Sequence, residues 1–318
     1  QGIAFPTKKI IMEWQHKQAA GAGLYNLGNT CFLNSVVQCL TYTPPLANYL
    51  LSGEHGQQCR LENFCMMCIM ETHIRKVLLS SVKAVQPRDI GNALMRIGDD
   101  LIYGRQNDAH EFLCCLRDSM QTACLGGNCS LDGPLQEKTI IHQIFGGRLT
   151  SRITCLSCSA VSDSVNTMMD IFLDITAASS LHVAMENFIR METLAVFHCT
   201  SCDQVGNATK RSTIHRAPRV LTLCLKRYGW GSGKISNVLQ YPEILDLRPY
   251  MSEAEGEPVL YSLYSILIHH DAGQENGHYF CYTKASNGQW YRMDDTDVAP
   301  CSLEVVLSQQ AYLLFYIR

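Results

Sequence analysis

The chain has 318 residues, 47% of them apolar, which is enough to bury a sizeable core in one large domain or two smaller ones. A net charge of −3 and a pI near 6.4 leave no basic excess for holding phosphate backbones or anionic lipid, which argues against nucleic acid and membrane as partners. No apolar run approaches the roughly 20 residues of a membrane-spanning helix, so a soluble protein is expected.

Gln1 stands where an initiator Met would, which suggests an excised domain. After an extended leading segment with Pro6 and Trp14, Gly21 and Gly23 open a loop into GLYNLGNTCFLNSVVQCLTYTPP. From Phe32 the apolar residues Phe32, Val36, Cys39 and Leu40 recur at helical spacing, and Pro44 with Pro45 ends the pattern, which puts Cys31 at a helix N-terminus. Further helices are expected around Met66 to Leu79, Pro87 to Leu94 and Asp108 to Thr122. In the last, Ala109, Phe112, Leu113, Leu116 and Met120 share an arc of about a hundred degrees. Beyond Gln143 the texture turns to β-branched and aromatic alternation in GGRLTSRITC, VLTLCLKRY, YSLYSILIHHD, HYFCYTK, QWYRMDD and AYLLFYIR, interrupted by a helix near Leu181 to Glu192. Helices first and strands after argue for an α+β fold, and the lack of repeats or low-complexity linkers favours one domain.

Sixteen cysteines could form a disulfide framework, but that device belongs to small secreted domains with insufficient cores. Here many lie in CxxC pairs or inside apolar runs (Cys39, Cys114, Cys224, Cys281), which fits zinc ligands and buried thiols in a reducing compartment, cytoplasm or nucleus. Cys31 at a helix start feels the positive end of the macrodipole, which favours the nucleophilic thiolate. A lone helix-start cysteine is more often a small buried hydrophobe. The turn of Gly23, Asn26, Gly28, Asn29 and Thr30 ahead of it suggests a fixed catalytic junction instead, with the Asn26 amide as a donor to an oxyanion.

A thiolate needs a base, and GQENGHYFCY places His278 at the start of an aromatic strand, where the plain alternative is an imidazole satisfied by backbone. MDD, ending at Asp295, supplies a carboxylate to orient that imidazole, either Asp294 or Asp295. A two-residue Asn287-Gly288 hairpin would put Asp294 on the wrong face for His278, so a bulge or a longer loop is expected. Cys155 and Cys158, followed some forty residues later by Cys199 and Cys202, form two CxxC knuckles suited to a closed structural zinc site. His55, Cys59, Cys65 and Cys68 could form a second metal site, or could be packing residues in a loop.

At these residues the chain resembles the ubiquitin-specific protease family. GLYNLGNTCFLNSVVQCL is similar to that family's cysteine box and LYSILIHHDAGQENGHYFCYTKASNGQWYRMDDTDV to its histidine box, with QNDAHEFLCCL and VLTLCLKRY similar to its intermediate signatures. The resemblance runs from Gly21 to Arg318. It implies a papain-like fold shaped as a right hand: a leading segment over 1–20, a helical thumb over about 21–135, largely fingers over about 143–215 and a palm over about 216–318. It further implies a thiol hydrolase that cuts after the C-terminal glycine of ubiquitin, with Cys31 as nucleophile, His278 as base, Asp294 as orienting acid, Asn26 as oxyanion donor and Asp295 as helper. No catalytic cofactor is implied, and the zinc is structural. Asp108 and Glu111 correspond to acids that hold the arginines of the ubiquitin tail, and their spacing of three on a helix puts both on one side. Ubiquitin and ubiquitinated proteins are the implied partners. Two alternatives share these residues: a catalytically impaired ubiquitin-binding module, and a protease for a ubiquitin-like modifier. TYTPPLANYLLSGEH and GIAFPTKKIIMEW resemble the nuclear and nucleolar branch of the family. VNTMMD, ending at Asp170, and Tyr228 in place of Phe depart from its pattern.

Overall fold

The computed structural model describes residues 4–128, 133–229, 233–271 and 277–318; the polar turn ahead of Gly277 and the Tyr228 side chain lie outside the described residues. Eight helices come first: α1 Cys31–Thr41, α2 Pro44–Ser52, α3 Glu54–Gln58, α4 Met66–Leu79, α5 Arg88–Ile97, α6 Ala109–Cys124, α7 Gly133–Gln136 and α8 Ile140–Phe145. Two more follow, α9 Leu181–Phe188 and α10 Leu303–Leu307. Every residue of α1 is buried, which is why its sequence carries no charge on any face. Pro44 and Pro45 do more than end that helix. They open α2, where proline's missing N–H is no loss and its fixed φ suits the first turn. The expected stripe of α6 is fully buried, and Asp108 caps the helix by accepting the Glu111 N–H at 3.0 Å. α9 is shorter than its sequence pattern suggests, because Glu192 already begins a strand.

A short parallel pair joins β1 Gly23–Leu24 to β2 Ala84–Val85. The other strands are β3 Gly147–Cys155, β4 Val161–Met168, β5 Ile171–Asp174, β6 Glu192–Cys199, β7 Gln204–Arg216, β8 Val220–Lys226, β9 Tyr228–Gly229, β10 Gly233–Lys234, β11 Ile244–Asp246, β12 Leu260–Asp271, β13 Gly277–Lys284, β14 Trp290–Asp294, β15 Asp297–Cys301 and β16 Leu313–Ile317. An eight-stranded sheet runs β15-β14-β13-β12-β16-β8-β5, with β11 also paired to β12, and only the β5–β8 ladder is parallel. One face of it packs beneath α1, α4, α6 and α8 through Leu267, Tyr279, Cys281 and Phe315. The other packs Leu223, Ile266, Leu314 and Tyr316 against α9 and the segments around Tyr241 and Tyr250. A strand covered on both faces reads as a continuous apolar run, as VLTLCL of β8 does.

The second sheet, β4-β3-β7-β6, is of another kind. From Val161 to Thr167 β4 is exposed throughout, and β6 and β7 are wet over most of their length. Between its two halves the chain leaves to add β5 and α9 to the large sheet. The VNTMMD departure spans the junction: Val165 is exposed on β4, whereas Asp170 is buried against Arg117 at 2.6 Å and His110 at 3.1 Å. Among the described residues no helix is long and apolar enough to cross a membrane.

Candidate active site

The loop ahead of α1 is held by its own side chains. Asn26 Oδ1 accepts the N–H groups of Gly28 at 2.9 Å and Thr30 at 3.3 Å, and Thr30 Oγ1 accepts that of Leu27 at 2.8 Å. Gly28 at φ 103° and Asn29 at φ 54° occupy the left-handed region, a strained turn of the kind found at functional sites. Behind it, Gly23 runs so close to the end of β14 that a Cβ there would stand 2.6 Å from the Thr296 carbonyl oxygen. Leu24 N–H bonds the Asp295 carbonyl at 2.8 Å, which ties the front of the chain to its far end.

The hairpin register decides which carboxylate meets the imidazole. β13 and β14 pair Cys281 with Met293 through Lys284 with Trp290, and Ala285 N–H bonds the Gln289 carbonyl at 3.0 Å. The loop therefore holds three residues, Ser286, Asn287 and Gly288, with Gly288 at φ 82°. That extra residue is the longer loop expected from the sequence, and it turns Asp294 onto the face of His278. His278 Nε2 lies 2.6 Å from Asp294 Oδ1, and Arg292 Nη2 donates to Asp294 Oδ2 at 2.6 Å.

Cys31 Sγ meets this pair at the start of β13, hydrogen-bonded to His278, with the Tyr279 N–H aimed at it from 3.4 Å. Burial raises the thiol pKa, but the bonds from His278, from the Tyr279 amide and with Gln106 outweigh it, so the net shift is downward. His278 is raised to about 10, first by its bond to Asp294 and then by Cys31, against burial. Asp294 is lowered, chiefly by the bond to His278. The two shifts favour a thiolate–imidazolium pair. The cysteine is 1% exposed, whereas the His278 side chain is 38% exposed, so solvent reaches the pair from the imidazole side.

Asp295 does not contact the imidazole. At φ 51° it accepts Asn34 Nδ2 at 2.8 Å and Asn26 Nδ2 at 3.2 Å, so the third position of the constellation falls to Asp294 while Asp295 braces the loop. Asn26 thus has one amide hydrogen committed to Asp295. Asp108 accepts the Tyr312 hydroxyl on both oxygens, at 3.0 and 2.9 Å, and the exposed Glu111 follows within the same turn. The Ala109 amide bonds the hydroxyl of Tyr279, the residue after His278, so this acidic helix start adjoins the thiol site. Three participants escaped the sequence reading: the Tyr279 N–H, Arg292, and Gln106, whose Oε1 accepts from Cys31 Sγ at 3.6 Å. Gln106 opens the QNDAHEF motif and Arg292 alternates with Asp294 along β14, so both carried a signal.

Cys155, Cys158, Cys199 and Cys202 bring their sulfurs within 4.8 Å of one another at the tip of the small sheet. Cys155 and Cys202 are 4.0 Å apart, and Cys158 and Cys199 3.7 Å. Backbone amides of Cys202 and Ser201 hold the Cys199 thiol down at about 6, whereas Cys202 is pushed up to about 12 by desolvation and by neighbouring sulfurs. Four sulfurs so close cannot all ionise unless a cation joins them, and a closed set of thiolates suits a tetrahedral metal ion. His55, Cys59, Cys65 and Cys68 also gather within 4.8 Å.

A family model described as Ubiquitin carboxyl-terminal hydrolase matches residues 22–316. Human "Ubiquitin carboxyl-terminal hydrolase 42" is 50% identical over 322 residues, an alignment that covers 100% of this chain and 24% of that protein. Human "Ubiquitin carboxyl-terminal hydrolase 17-like protein 13" is 45% identical over 317 residues, 98% of this chain and 59% of its own. The chain thus spans about a quarter of one of these relatives and somewhat over half of the other. Among solved structures, the SAGA Ubp8/Sgf11/Sus1/Sgf73 DUB module bound to ubiquitin aldehyde matches with a TM-score of 0.81 at 28% identity, covering 93% of this chain and 69% of that one. The same module bound to monoubiquitin matches with a TM-score of 0.80 at 30% identity, covering 93% of this chain and 68% of that one.

Proposed function

The chain belongs to the ubiquitin carboxyl-terminal hydrolase family, and on that premise we propose that it is the catalytic region of a cysteine-type deubiquitinase. It hydrolyses the peptide or isopeptide bond that follows the C-terminal glycine of ubiquitin. The observation that carries this reading is the Cys31, His278 and Asp294 constellation, with its 2.6 Å imidazole–carboxylate bond and its lowered thiol.

Each residue has a step. Cys31 thiolate attacks the carbonyl carbon of the terminal glycine, and side-chain amides of Asn26 and Gln106, with the Tyr279 N–H, are the donors nearest the developing oxyanion. His278 imidazolium gives its proton to the departing lysine or peptide nitrogen, and a thioester to Cys31 remains. Now neutral, His278 takes a proton from water as that water attacks the thioester, which releases the ubiquitin carboxylate and restores the thiolate. Asp294 keeps Nε2 protonated throughout, so the other ring nitrogen faces the sulfur. Asp108 and Glu111 receive the arginines of the ubiquitin tail, and Tyr312 holds the Asp108 carboxylate in one orientation for them.

Cys155, Cys158, Cys199 and Cys202 would hold zinc, which clamps the two knuckles of the small sheet and leaves no position for water. The cysteines described are all unpaired, which supports a reducing compartment, cytoplasm or nucleus. The wild-type chain, mixed with ubiquitin carrying a C-terminal electrophile, gains the mass of one ubiquitin on Cys31, while a ubiquitin-like control reports selectivity. Cys31→Ala forms no adduct and turns over no ubiquitin conjugate, yet still binds ubiquitin. Cleavage retained by that variant refutes the assignment.

A further inference from the structure

We propose that His55, Cys59, Cys65 and Cys68 bind a second structural zinc ion within the helical layer, independent of catalysis and of the small sheet. The four residues come from one short stretch with the spacing H-x₃-C-x₅-C-x₂-C. His55 lies in α3, Cys59 caps its C-terminus, Cys65 caps the N-terminus of α4, and Cys68 stands in the first turn of α4. All four ligand atoms lie within 4.8 Å of one another, His55 Nε2 being 3.1 Å from Cys65 Sγ. Ligand atoms around one tetrahedral zinc are spaced by about 3.5–3.8 Å, as bond lengths of about 2.0–2.3 Å require. Small adjustments of rotamer would open the cluster to that spacing.

The surroundings fit a metal better than a packing role. His55 and Cys65 are buried, while Arg60, Glu62 and Asn63, on the segment between the two cysteine pairs, are exposed and belong to no helix or strand. An apolar cluster would not gather three thiols and an imidazole beneath so polar a loop. Glu71 accepts the Gly56 N–H at 3.2 Å, and a Cβ at Gly56 would stand 2.8 Å from that carboxylate, so α3 is pressed onto α4 with His55 aimed inward. The cluster of His110, Cys114 and Asp170 provides the contrast. There the Arg117 guanidinium already supplies a cation at 2.6 Å from the carboxylate, and no metal is needed. Three sulfurs and one imidazole form a closed set that suits zinc and leaves no open position, so the ion is a staple. What it staples is the leading end of α4, whose far end bonds Ala22 N–H through the Val77 carbonyl at 3.1 Å, just ahead of the Cys31 loop.

Metal analysis of the purified 318-residue chain tests this without recourse to activity. The wild type should carry about two zinc ions, and both Cys65→Ser/Cys68→Ser and Cys155→Ser/Cys158→Ser should retain about one. One ion in the wild type, or two in Cys65→Ser/Cys68→Ser, overturns the proposal. Should that variant fail to fold, cadmium-113 resonance on the exchanged wild type decides. Two signals, one in the range of four sulfurs and one in that of three sulfurs and a nitrogen, support it, and a lone four-sulfur signal defeats it.

Discussion

Asp294 stands between two cations, and that position sets the pH behaviour of the site. Its bond to His278 is the largest cause that lifts the imidazole to about 10, and Arg292 occupies its other oxygen. The reactive pair is charged between the lowered pKa of Cys31 and that of His278. Activity therefore declines on the acid side as the sulfur gains a proton, and on the alkaline side as the imidazolium loses one. Asp294→Asn removes the main support of the imidazolium, so the alkaline limb should move down toward the ordinary histidine range, with kcat/KM reduced by about 10²–10⁴-fold. A pH profile of kcat/KM for the two proteins checks this, and an unmoved alkaline limb contradicts it. At this scale the sequence was informative about types and vague about partners. It named His278 and both aspartates, but it could not choose between Asp294 and Asp295, because the choice rests on one loop residue, Gly288, in a left-handed conformation.

Elements with one buried face announced themselves, and those without did not. α4 and α6 were legible because their apolar residues recur at helical spacing over a dozen or more positions. β4, β6 and β7 carry no such alternation, since both faces of their sheet meet water. α2 was hidden behind two prolines that serve as its first turn. The joint between α6 and β5 makes its own prediction. Arg117 and Asp170 form a buried pair, and Asp170 with Cys114 overcomes the burial that would lower His110, raising it to about 9. Asp170→Asn leaves the guanidinium buried and uncompensated and should cost about 3–5 kcal/mol in urea unfolding. The pH dependence has a definite sign. The raised histidine contributes fully below its ordinary pKa of about 6.5 and loses that contribution as pH climbs to about 9. The depressed Asp170 contributes above the ordinary carboxylate pKa and loses that contribution as pH falls below it. Wild-type stability should thus fall between about pH 6.5 and 9, and the variant should lack that slope.

Over the whole molecule, a helical layer and a large sheet carry the thiol and the imidazole, and the wet sheet carries a metal-binding tip away from both. Cys158→Ser at that tip should lower the metal content and weaken ubiquitin binding, while a short ubiquitin-tail substrate is cleaved at close to the wild-type rate. Binding measurements beside peptide turnover distinguish this from general unfolding, which would abolish both. The α+β class, the helix start at Cys31, the strand start at His278, the acidic helix start at Asp108 and the CxxC pairs were all contained in the sequence. Each depends on residues a few positions apart, where propensity, capping and ligand spacing act locally. The meeting of Cys31 with His278, the selection of Asp294, the approach of Gln106 and the commitment of Asn26 to Asp295 were decided only by tertiary structure. These contacts join distant parts of the chain, and their geometry follows from sheet register and from α1 packing on β13, neither of which has a local signature.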